Sequence, residues 1–293
     1  MPELPEVETI VRGLKKKILN LKIQDVWTDS KKIIKKPKQF SRFKKELKGK
    51  IVVGIRRRGK NILIDLSGDK VLLVHQKISG HLLYGRWKKE KGKWISEVQG
   101  SLVNDFWNNF LHLIIFFNNN RQLALSDLRK FSKIELWDKE KLEKSKYLQS
   151  LGAEPLEKDF TFQKFKESLN KRRRGRIKQV LMDQRIIVGI GNIYANEILW
   201  KSKVNPFKDL NKLKEKDLRK IYKNIKIILK EAIKLKGSSI SDFRQIDGKK
   251  GKYGNFLKVY RKEGEKCLVC KNKIKRDKIS GRSTFFCSKC QPL

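Results

Sequence analysis

Apolar residues near the N-terminus recur at the spacing of one helix face. The positions that fall three or four residues apart are Val7, Ile10, Val11, Leu14 and Ile18. Pro5 and the acidic residues around it favour a helix N-terminus, where one N–H is unpaired anyway and negative charge is stabilised. The pattern therefore predicts a helix that begins close to the start of the chain and buries one face.

From Leu19 to Trp137 the pattern changes to short apolar runs of strand length. Turn-forming stretches such as SGD and NNNR separate these runs, which include KIVVGI, NILIDL, KVLLVH, LHLIIFF and QLALSDL. Runs of this length bounded by Gly, Asn, Asp and Ser are typical of β-strands. We predict an antiparallel β-sandwich or a barrel-like sheet for this region.

Helical periodicity returns after a charged and then turn-like stretch that ends in LGAEPL, and continues to about residue 236. A loop rich in Gly, Lys and Ser follows, and the cysteines come last. The sequence thus predicts an α+β chain of two domains. Its divisions are an N-terminal sandwich domain at 1–137, a linker at 138–155, a helical domain with its loop at 156–255, and a zinc finger at 256–293.

The charge of the chain points to a polyanionic partner. The 293 residues include 72 Lys+Arg against 31 Asp+Glu, a formal net charge of +41, while 39% are hydrophobic. That apolar content supports packed cores and excludes a disordered polycation. Nucleic acid is the first candidate partner, since neutralising phosphates releases counterions. A general lysine bias of the proteome is the alternative explanation of the positive charge. No apolar run of membrane-spanning length and no signal peptide is recognised, so we expect a cytoplasmic protein without membrane contact.

The cysteine spacing predicts one structural zinc ion. All four cysteines lie in the last 27 residues, as two C-x-x-C knuckles separated by sixteen residues: Cys267, Cys270, Cys287 and Cys290. Four thiolates at this spacing suit a closed tetrahedral site, whereas disulfides or free thiols are the alternative. The spacer reads as a hairpin with Arg282 at or beside its tip, either reaching into a groove or simply solvated.

Two further motifs place glycine beside polar side chains. In DQRIIVGIGNIYANEILW, Gly189 and Gly191 allow a tight turn, and Asn192 is predicted to cap the helix that follows. A helix N-terminus binds phosphate well, although an ordinary connector has the same pattern. In GIRRRGKNILIDL, Lys60 follows Gly59 just before a strand, so it lies either on a solvated edge or aimed into a cleft.

The N-terminus itself offers a nucleophile. Methionine is often removed before a small residue, which would leave Pro2 with a free secondary amine. The reference pKa of an α-amino group is about 7.7–8.0, against about 10.4 for lysine, so far more of it is neutral at pH 7. A neutral amine can attack a sugar C1′ and form an iminium intermediate. Glu3, the next residue, could exchange protons during base loss.

Several motifs together resemble one enzyme family. In chain order they are PELPEVET, RRRGK, DLRKF, LGAEPL, VGIGNIYANE and GRSTFFCSKCQ, and they span almost the whole chain. They resemble the formamidopyrimidine-DNA glycosylase family of 8-oxoguanine DNA glycosylases. The resemblance implies an N-terminal β-sandwich domain with a catalytic N-terminal helix, and a C-terminal helix–two-turn–helix domain with a β-hairpin zinc finger. Duplex DNA would run between these domains.

The resemblance also implies an activity. A bacterial base-excision repair enzyme of this family, acting as a monomer on nucleoid DNA, would flip an oxidised purine out of the duplex, excise it and nick the strand by β,δ-elimination. The lesions would be chiefly 8-oxoguanine and formamidopyrimidines. The catalytic residues would be the nucleophile Pro2, the proton donor Glu3, and Lys60, which holds a phosphate.

The resemblance assigns the DNA contacts residue by residue. Glu6 would lie in the base pocket, and the loop from about Ser238 to Lys252 would cover the extruded base. The residues that would hold phosphates beside Lys60 are His75, Asn192 and Arg282. Within the duplex, Ile78 would fill the gap left by the flipped base, Arg129 would face the orphaned cytosine, and Phe131 would wedge into the stack.

The chain departs from the family pattern at five places. Ile78 stands where a methionine is usual, and it is stiffer because it is branched. Leu128 and Ser132 replace the proline and glycine of DPRRFG, and Lys130 replaces its second arginine with the charge kept. The segment from Glu90 to Phe110 is longer than usual. These departures bear on the wedge and the opposite base rather than on the chemistry.

Two other functions remain open at this level. The sister endonuclease VIII type removes oxidised pyrimidines with the same Pro–Glu pair, but its sequence differs from PELPEVET after Glu3. A zinc-ribbon protein without catalytic activity would bind nucleic acid and never form a covalent adduct.

Overall fold

The computed structural model describes residues 1–172, 174–240 and 242–293. The chain forms two compact units. The first comprises Met1–Pro2, Glu6–Leu148 and Lys236–Lys252; the second comprises Glu3–Pro5, Gln149–Leu235 and Tyr253–Leu293. The segment Lys236–Lys252, which the division by sequence groups with the helical domain, packs with the first unit. Position 241 of the predicted base-covering loop lies outside the described residues.

Two principal sheets make up the first unit. Its strands are β1 Ile23–Thr28, β2 Ile34–Lys36, β3 Val52–Arg58, β4 Asn61–Leu66, β5 Lys70–His75, β6 Gly80–Gly85, β7 Trp87–Glu90, β8 Lys93–Ser96, β9 Leu111–Phe117, β10 Gln122–Asp127 and β11 Lys133–Asp138. The sheets have the orders β1-β9-β10-β6 and β2-β11-β5-β4-β3, and β7 and β8 form a separate hairpin. The predicted β-sandwich is confirmed, with one parallel pair, β2 and β11.

The N-terminal helix fills the core of this unit. Helix α1, Leu4–Ile18, buries every position of the predicted apolar stripe. All five side chains of the stripe belong to one hydrophobic cluster, which also contains side chains from both principal sheets. Each such fully buried side chain contributes about 1.5–3 kcal/mol. Helix α2, Phe40–Leu47, also packs into this core. The sequence pattern predicts strands in its region, because the segment has too few apolar residues to show a clear helical period.

Helices and a small hairpin make up most of the second unit. After α3 Lys139–Glu143 and α4 Lys146–Gln149, the elements are α5 Phe162–Asn170, α6 Ile177–Met182, α7 Asn192–Lys201, α8 Glu215–Lys234, β12 Lys275–Ile279 and β13 Arg282–Phe286. Most of α7 is buried, and the long α8 packs one apolar face against it. Among the described residues, no helix has both the length and the hydropathy needed to cross a bilayer.

Candidate active site

Glu3 is fixed by the N-terminus of α7. Its side chain is buried, with 3% of the residue exposed, and its carboxylate accepts hydrogen bonds from the backbone N–H groups of Gly191 (2.7 Å) and Ile193 (2.8 Å). The N–H of Tyr194 lies 3.4 Å from the same carboxylate. The unpaired N–H groups and dipole of a helix N-terminus stabilise a negative charge at this position. A carboxylate next to Pro2 is therefore held in one orientation by three donors.

The prediction that Asn192 caps α7 was wrong. Gly191 occupies the cap position without a side-chain acceptor, and Asn192 is the first helical residue. Glu3, far away in sequence, supplies the acceptor that a local cap would have supplied. The side-chain Oδ1 of Asn192 is buried and finds no hydrogen-bond donor among the described residues.

The two glycines before α7 allow the N-terminal segment to approach closely. The Leu4 N–H donates to the Gly189 carbonyl at 3.0 Å, and a Cβ on Gly189 would lie 2.6 Å from the Leu4 Cβ. A Cβ on Gly191 would lie 2.5 Å from the Glu3 carboxyl carbon. Gly189 also has a positive φ of 89°, which favours glycine. The GIG motif is thus required by the Glu3 contact as well as by the turn.

Glu6 is bound within the first unit. Its buried carboxylate accepts the Ser238 N–H at 2.7 Å. Gly237, with φ 77°, passes so close that a Cβ there would lie 2.8 Å from the Glu6 Oε1. The loop predicted to cover an extruded base is therefore attached, at its start, to the first turn of α1.

Part of the basic cluster before β4 is used inside the fold. Arg57 is nearly buried, and it donates to Glu8 (3.1 Å) and to the carbonyl of Gly59 (3.1 Å). Although burial opposes it, the Arg12 and Arg57 guanidinium groups hold the pKa of Glu8 below its usual value. Arg57 thereby ties α1 to the β3–β4 turn that carries Lys60, a buried residue after Gly59 (φ 59°).

His75 is uncharged at neutral pH. Burial, reinforced by Lys77, Lys60 and Lys133, lowers the pKa of His75 to about 3. Its Nδ1 accepts the Lys77 N–H at 3.0 Å, which leaves Nε2 to carry the proton. His75 can therefore donate one N–H to a phosphate oxygen, and it adds no positive charge.

Asp127 joins the β5–β6 loop to the β10–β11 loop, and these two loops carry the predicted duplex contacts. Its buried carboxylate accepts from the Ser79 hydroxyl (2.6 Å), the Ser132 N–H (2.7 Å) and the Arg129 N–H (3.2 Å). Ser132, which stands where the family has glycine, also donates its hydroxyl to the Gln76 carbonyl at 3.2 Å. The substitution thus adds a link between the loops.

Three predicted duplex-contact residues project from these joined loops. Ile78 and Phe131 remain 45% and 49% exposed. The Arg129 guanidinium lies 4.5 Å from the centre of the Phe131 ring, in a cation–π contact. The structure therefore places two exposed apolar side chains and a cation on the joined loops of the first unit.

Lys178 is a site residue that sequence reasoning missed. It is fully buried in α6, and its ammonium donates to the Ser283 carbonyl and the Thr284 hydroxyl, both at 2.8 Å. Burial lowers the pKa of Lys178 to about 7; Glu3 opposes this effect and Arg282 adds to it. Nothing in the sequence separates Lys178 from the many other lysines, because its burial depends on the hairpin packed against it.

The Lys178 pKa predicts a pH dependence of stability. The unfolded chain holds this proton up to the ordinary value of 10.5, whereas the folded chain releases it near 7. The unfolded state therefore binds more protons between these values, and the free energy of unfolding should rise with pH across that window. In Lys178→Met this contribution should be absent. Denaturant unfolding of parent and variant at pH 7 and pH 9.5 measures the difference; parallel profiles would contradict the assignment.

The four cysteines form a zinc site. Their sulfur atoms all lie within 4.8 Å of one another, and the sulfurs of Cys267 and Cys290 are 3.9 Å apart. A tetrahedron with Zn–S bonds of about 2.3 Å has edges of about 3.8 Å, so the set fits one zinc ion. Burial opposes it, but the N–H groups of Cys270 and Val269 and the Trp200 indole lower the pKa of Cys267 to about 6. The predicted structural zinc is confirmed, and Arg282 lies exposed at the tip of its hairpin.

Removing the zinc should unfold the ribbon and weaken DNA binding. Structural zinc contributes on the order of 10–16 kcal/mol in isolated zinc-finger peptides, more than a 30-residue ribbon can replace by packing. Treatment with a chelator should lower the affinity for duplex DNA, measured by fluorescence anisotropy, and added zinc should restore it. Cys290→Ser should start in the weakened state, whereas Ser288→Ala should bind as the parent does. Equal affinity with and without zinc would refute this role.

Comparison with known proteins identifies relatives over the whole chain. Three family profiles match: the formamidopyrimidine-DNA glycosylase N-terminal domain at residues 1–134, the H2TH domain of the same enzymes at 151–244, and the zinc finger found in FPG and IleRS at 264–293. The chain is 37% identical to the formamidopyrimidine-DNA glycosylase of Pelotomaculum thermopropionicum over 100% of both chains. It is 36% identical to that of Mycoplasma genitalium, over 100% of this chain and 96% of the relative.

Solved structures with the same fold contain DNA. A Lactococcus lactis FPG variant bound to Fapy-dG-containing DNA has a TM-score of 0.87 at 35% identity, over 100% of both chains. The L. lactis enzyme with abasic-site DNA gives 0.86 over 99% of this chain and 100% of that one. A MutM complex with carbocyclic 8-oxo-G DNA, also at 35% identity over 100% of both chains, gives 0.86.

Proposed function

Because this chain belongs to the formamidopyrimidine-DNA glycosylase family of zinc-containing DNA-repair glycosylases and AP lyases, we propose that it excises oxidised purines through a covalent bond to Pro2. The lesions are 8-oxoguanine and formamidopyrimidines in duplex DNA, on which the protein acts as a monomer. The observation that carries the proposal is the Glu3 carboxylate, buried and held by the N–H groups of α7 in the position after Pro2.

The chemistry requires a free Pro2 nitrogen, which removal of Met1 supplies. Its lone pair attacks C1′ of the lesion, the C1′–N bond breaks, and the base leaves with the proton that the Pro2 nitrogen gives up. Glu3 moves protons to and from the sugar oxygen as the ring opens to the iminium. Loss of the C2′ proton then expels the 3′-phosphate, and a second elimination expels the 5′-phosphate. Water finally releases the sugar fragment from Pro2.

The remaining predicted residues bind and distort the duplex. In the first unit, Lys60 and the His75 Nε2–H hold phosphates, while Glu6 lies in the base pocket. Ile78, Arg129 and Phe131 occupy the space of the flipped base and face its partner. In the second unit, Asn192 and Arg282 hold further phosphates. The loop that starts at Ser238 covers the extruded base; its attachment to Glu6 supports this role.

Borohydride trapping tests the proposal. Reduction of the iminium should fix an adduct between Pro2 and duplex DNA containing 8-oxoguanine, visible as a shifted band and located by peptide mass spectrometry. Adducts formed only on oxidised-pyrimidine DNA would instead identify the endonuclease VIII type of specificity. Duplex binding without any adduct would identify a non-catalytic binder.

Lys60→Ala should weaken duplex binding through the loss of one phosphate contact. The slope of log K against log salt should fall by about one unit, since each neutralised phosphate contributes about 0.9. Binding titrations at several salt concentrations measure this slope. Lys93→Ala, in the exposed β7–β8 hairpin, is the matched control and should keep the parent slope. An unchanged slope in Lys60→Ala would mean that Lys60 meets no phosphate.

A further inference from the structure

The second half of the long segment from Glu90 to Phe110 forms a platform fixed to the sheet of β1, β9, β10 and β6. The Trp87 backbone is bound on both sides by the Gln122 amide, at 2.9 and 3.1 Å. The Ser126 hydroxyl donates to the Trp107 carbonyl at 2.7 Å, and Asn108 joins the Trp87 indole to the Leu102 carbonyl at 2.8 Å each. We call residues 101–110 the platform. Its buried hydrogen bonds make it a rigid part of the sheet.

Residues 242–248, here the loop arm, lie along the open edge of this sheet. Strand β6 is an edge strand, and its Tyr84 N–H donates to the Ile246 carbonyl at 2.7 Å. The His81 Nε2 is hydrogen-bonded to the Asp242 carbonyl, and the Trp107 ring of the platform packs against the His81 ring at a tilt of 36°, with ring centres 4.2 Å apart. The loop arm is the part of the proposed base-covering loop that returns from its tip. It is thus docked on the edge of the sheet.

The platform contacts the loop arm directly at two points. The Arg244 guanidinium lies 3.8 Å from the Asp105 carboxylate, with side chains only 17% and 10% exposed, and donates to the Phe243 carbonyl at 3.2 Å. Gly248, with φ 84°, packs so closely that a Cβ would lie 2.8 Å from the Leu102 Cδ2 and 3.0 Å from the Ser101 carbonyl oxygen. An ion pair this far from water is screened less than a surface pair.

We propose that the platform anchors the loop arm, so that Asp105 and Arg244 are positioning residues for base excision. This inference rests on the proposed function, in which the loop covers the extruded base. With its start bound to Glu6 and its return arm held by the platform, both ends of the loop are already in place when a base enters. Ordering a residue costs about 1–2 kcal/mol, so a pre-ordered arm lowers the cost of covering the base. An abasic site presents no base, and its processing does not use the anchor.

The experiment compares base excision with nicking of a preformed abasic site. Asp105→Asn keeps the oxygen that accepts the Trp107 N–H at 2.9 Å but removes the charge that faces Arg244. Gly248→Ala introduces the clash with Leu102. Its control is Gly92→Ala, which has a similar φ of 81° and nothing within 4 Å of the added Cβ. Single-turnover rates on 8-oxoguanine and abasic duplexes, and hydrogen exchange of the loop-arm amides, are the readouts.

Asp105→Asn and Gly248→Ala should excise 8-oxoguanine roughly tenfold more slowly, a usual size for such coupling, and exchange the loop-arm amides faster. Both should nick abasic DNA at the parent rate, and Gly92→Ala should match the parent throughout. Arg244→Gln combined with Asp105→Asn should be no slower than either change alone. Unchanged excision with unchanged exchange, or an equal loss on both substrates, would overturn the inference. A parent protein inactive on both substrates would refute the proposed function instead, and the exchange rates would still decide whether the anchor exists.

Discussion

Retaining Met1 in front of Pro2 should reduce the cutting of 8-oxoguanine duplex by on the order of 10⁴–10⁶-fold, the scale of loss when a covalent nucleophile is removed. The reason is electronic: in a Met–Pro peptide bond the proline nitrogen is an amide whose lone pair is delocalised and cannot attack C1′.

Two proteins that differ by one residue give a clean measurement. A fusion partner is cleaved either directly before Met1 or directly before Pro2, and intact mass confirms each N-terminus. Both forms should melt at nearly the same temperature and bind duplex DNA comparably, because Met1 is 46% exposed. Only the Pro2 form should be trapped by borohydride. Equal single-turnover rates would remove the Pro2 nitrogen from the mechanism.

Glu3→Gln should slow the chemical step by about 10³-fold, within the usual range for loss of a positioned proton-transfer group. The amide cannot exchange the proton that ring opening requires. Its NH₂ would also face the N–H donors of Gly191 and Ile193 that the carboxylate now satisfies. The rate at saturating DNA, from single-turnover assays, measures the chemical loss, and thermal unfolding measures the structural one.

The variant Glu197→Gln distinguishes the loss of chemical rate from the loss of stability. Glu197 is a second buried carboxylate, on α7 itself, and accepts the backbone N–H groups of Lys258, Val259 and Tyr260 at 2.9–3.0 Å. Removing its charge should destabilise the fold in a comparable way, yet leave the chemical step at saturating DNA within a fewfold of the parent. If Glu197→Gln slows that step as much as Glu3→Gln does, the role of Glu3 is structural only.

The sequence predicted correctly those features that depend on interactions between residues close together in the chain. The helical stripe of α1, the apolar runs of the sheets and the paired cysteine knuckles each depend on spacing within a few residues, and the structure confirms them. Helix α2 was not predicted, because it is short and carries only two buried apolar side chains, Phe43 and Leu47.

The family resemblance added the residues of the site, but not their partners. It names Glu3, Glu6 and Lys60 from their motifs alone. That Glu3 replaces Asn192 as the cap of α7, or that Arg57 is used inside the fold to hold the Lys60 turn, depends on contacts between residues more than forty positions apart. A motif carries no information about such contacts.

What the sequence by itself determined is therefore most of the strands and helices and the four zinc ligands; the reactive groups are its predictions. Only the tertiary structure decided which basic side chains are buried or form ion pairs within the fold. Lys178 and Arg57 look alike in a chain with 72 basic residues. One is buried against a hairpin and the other is paired with Glu8, and both outcomes follow from the environments that distant segments create. Desolvation and ion pairing depend on three-dimensional neighbours, so no local pattern encodes them.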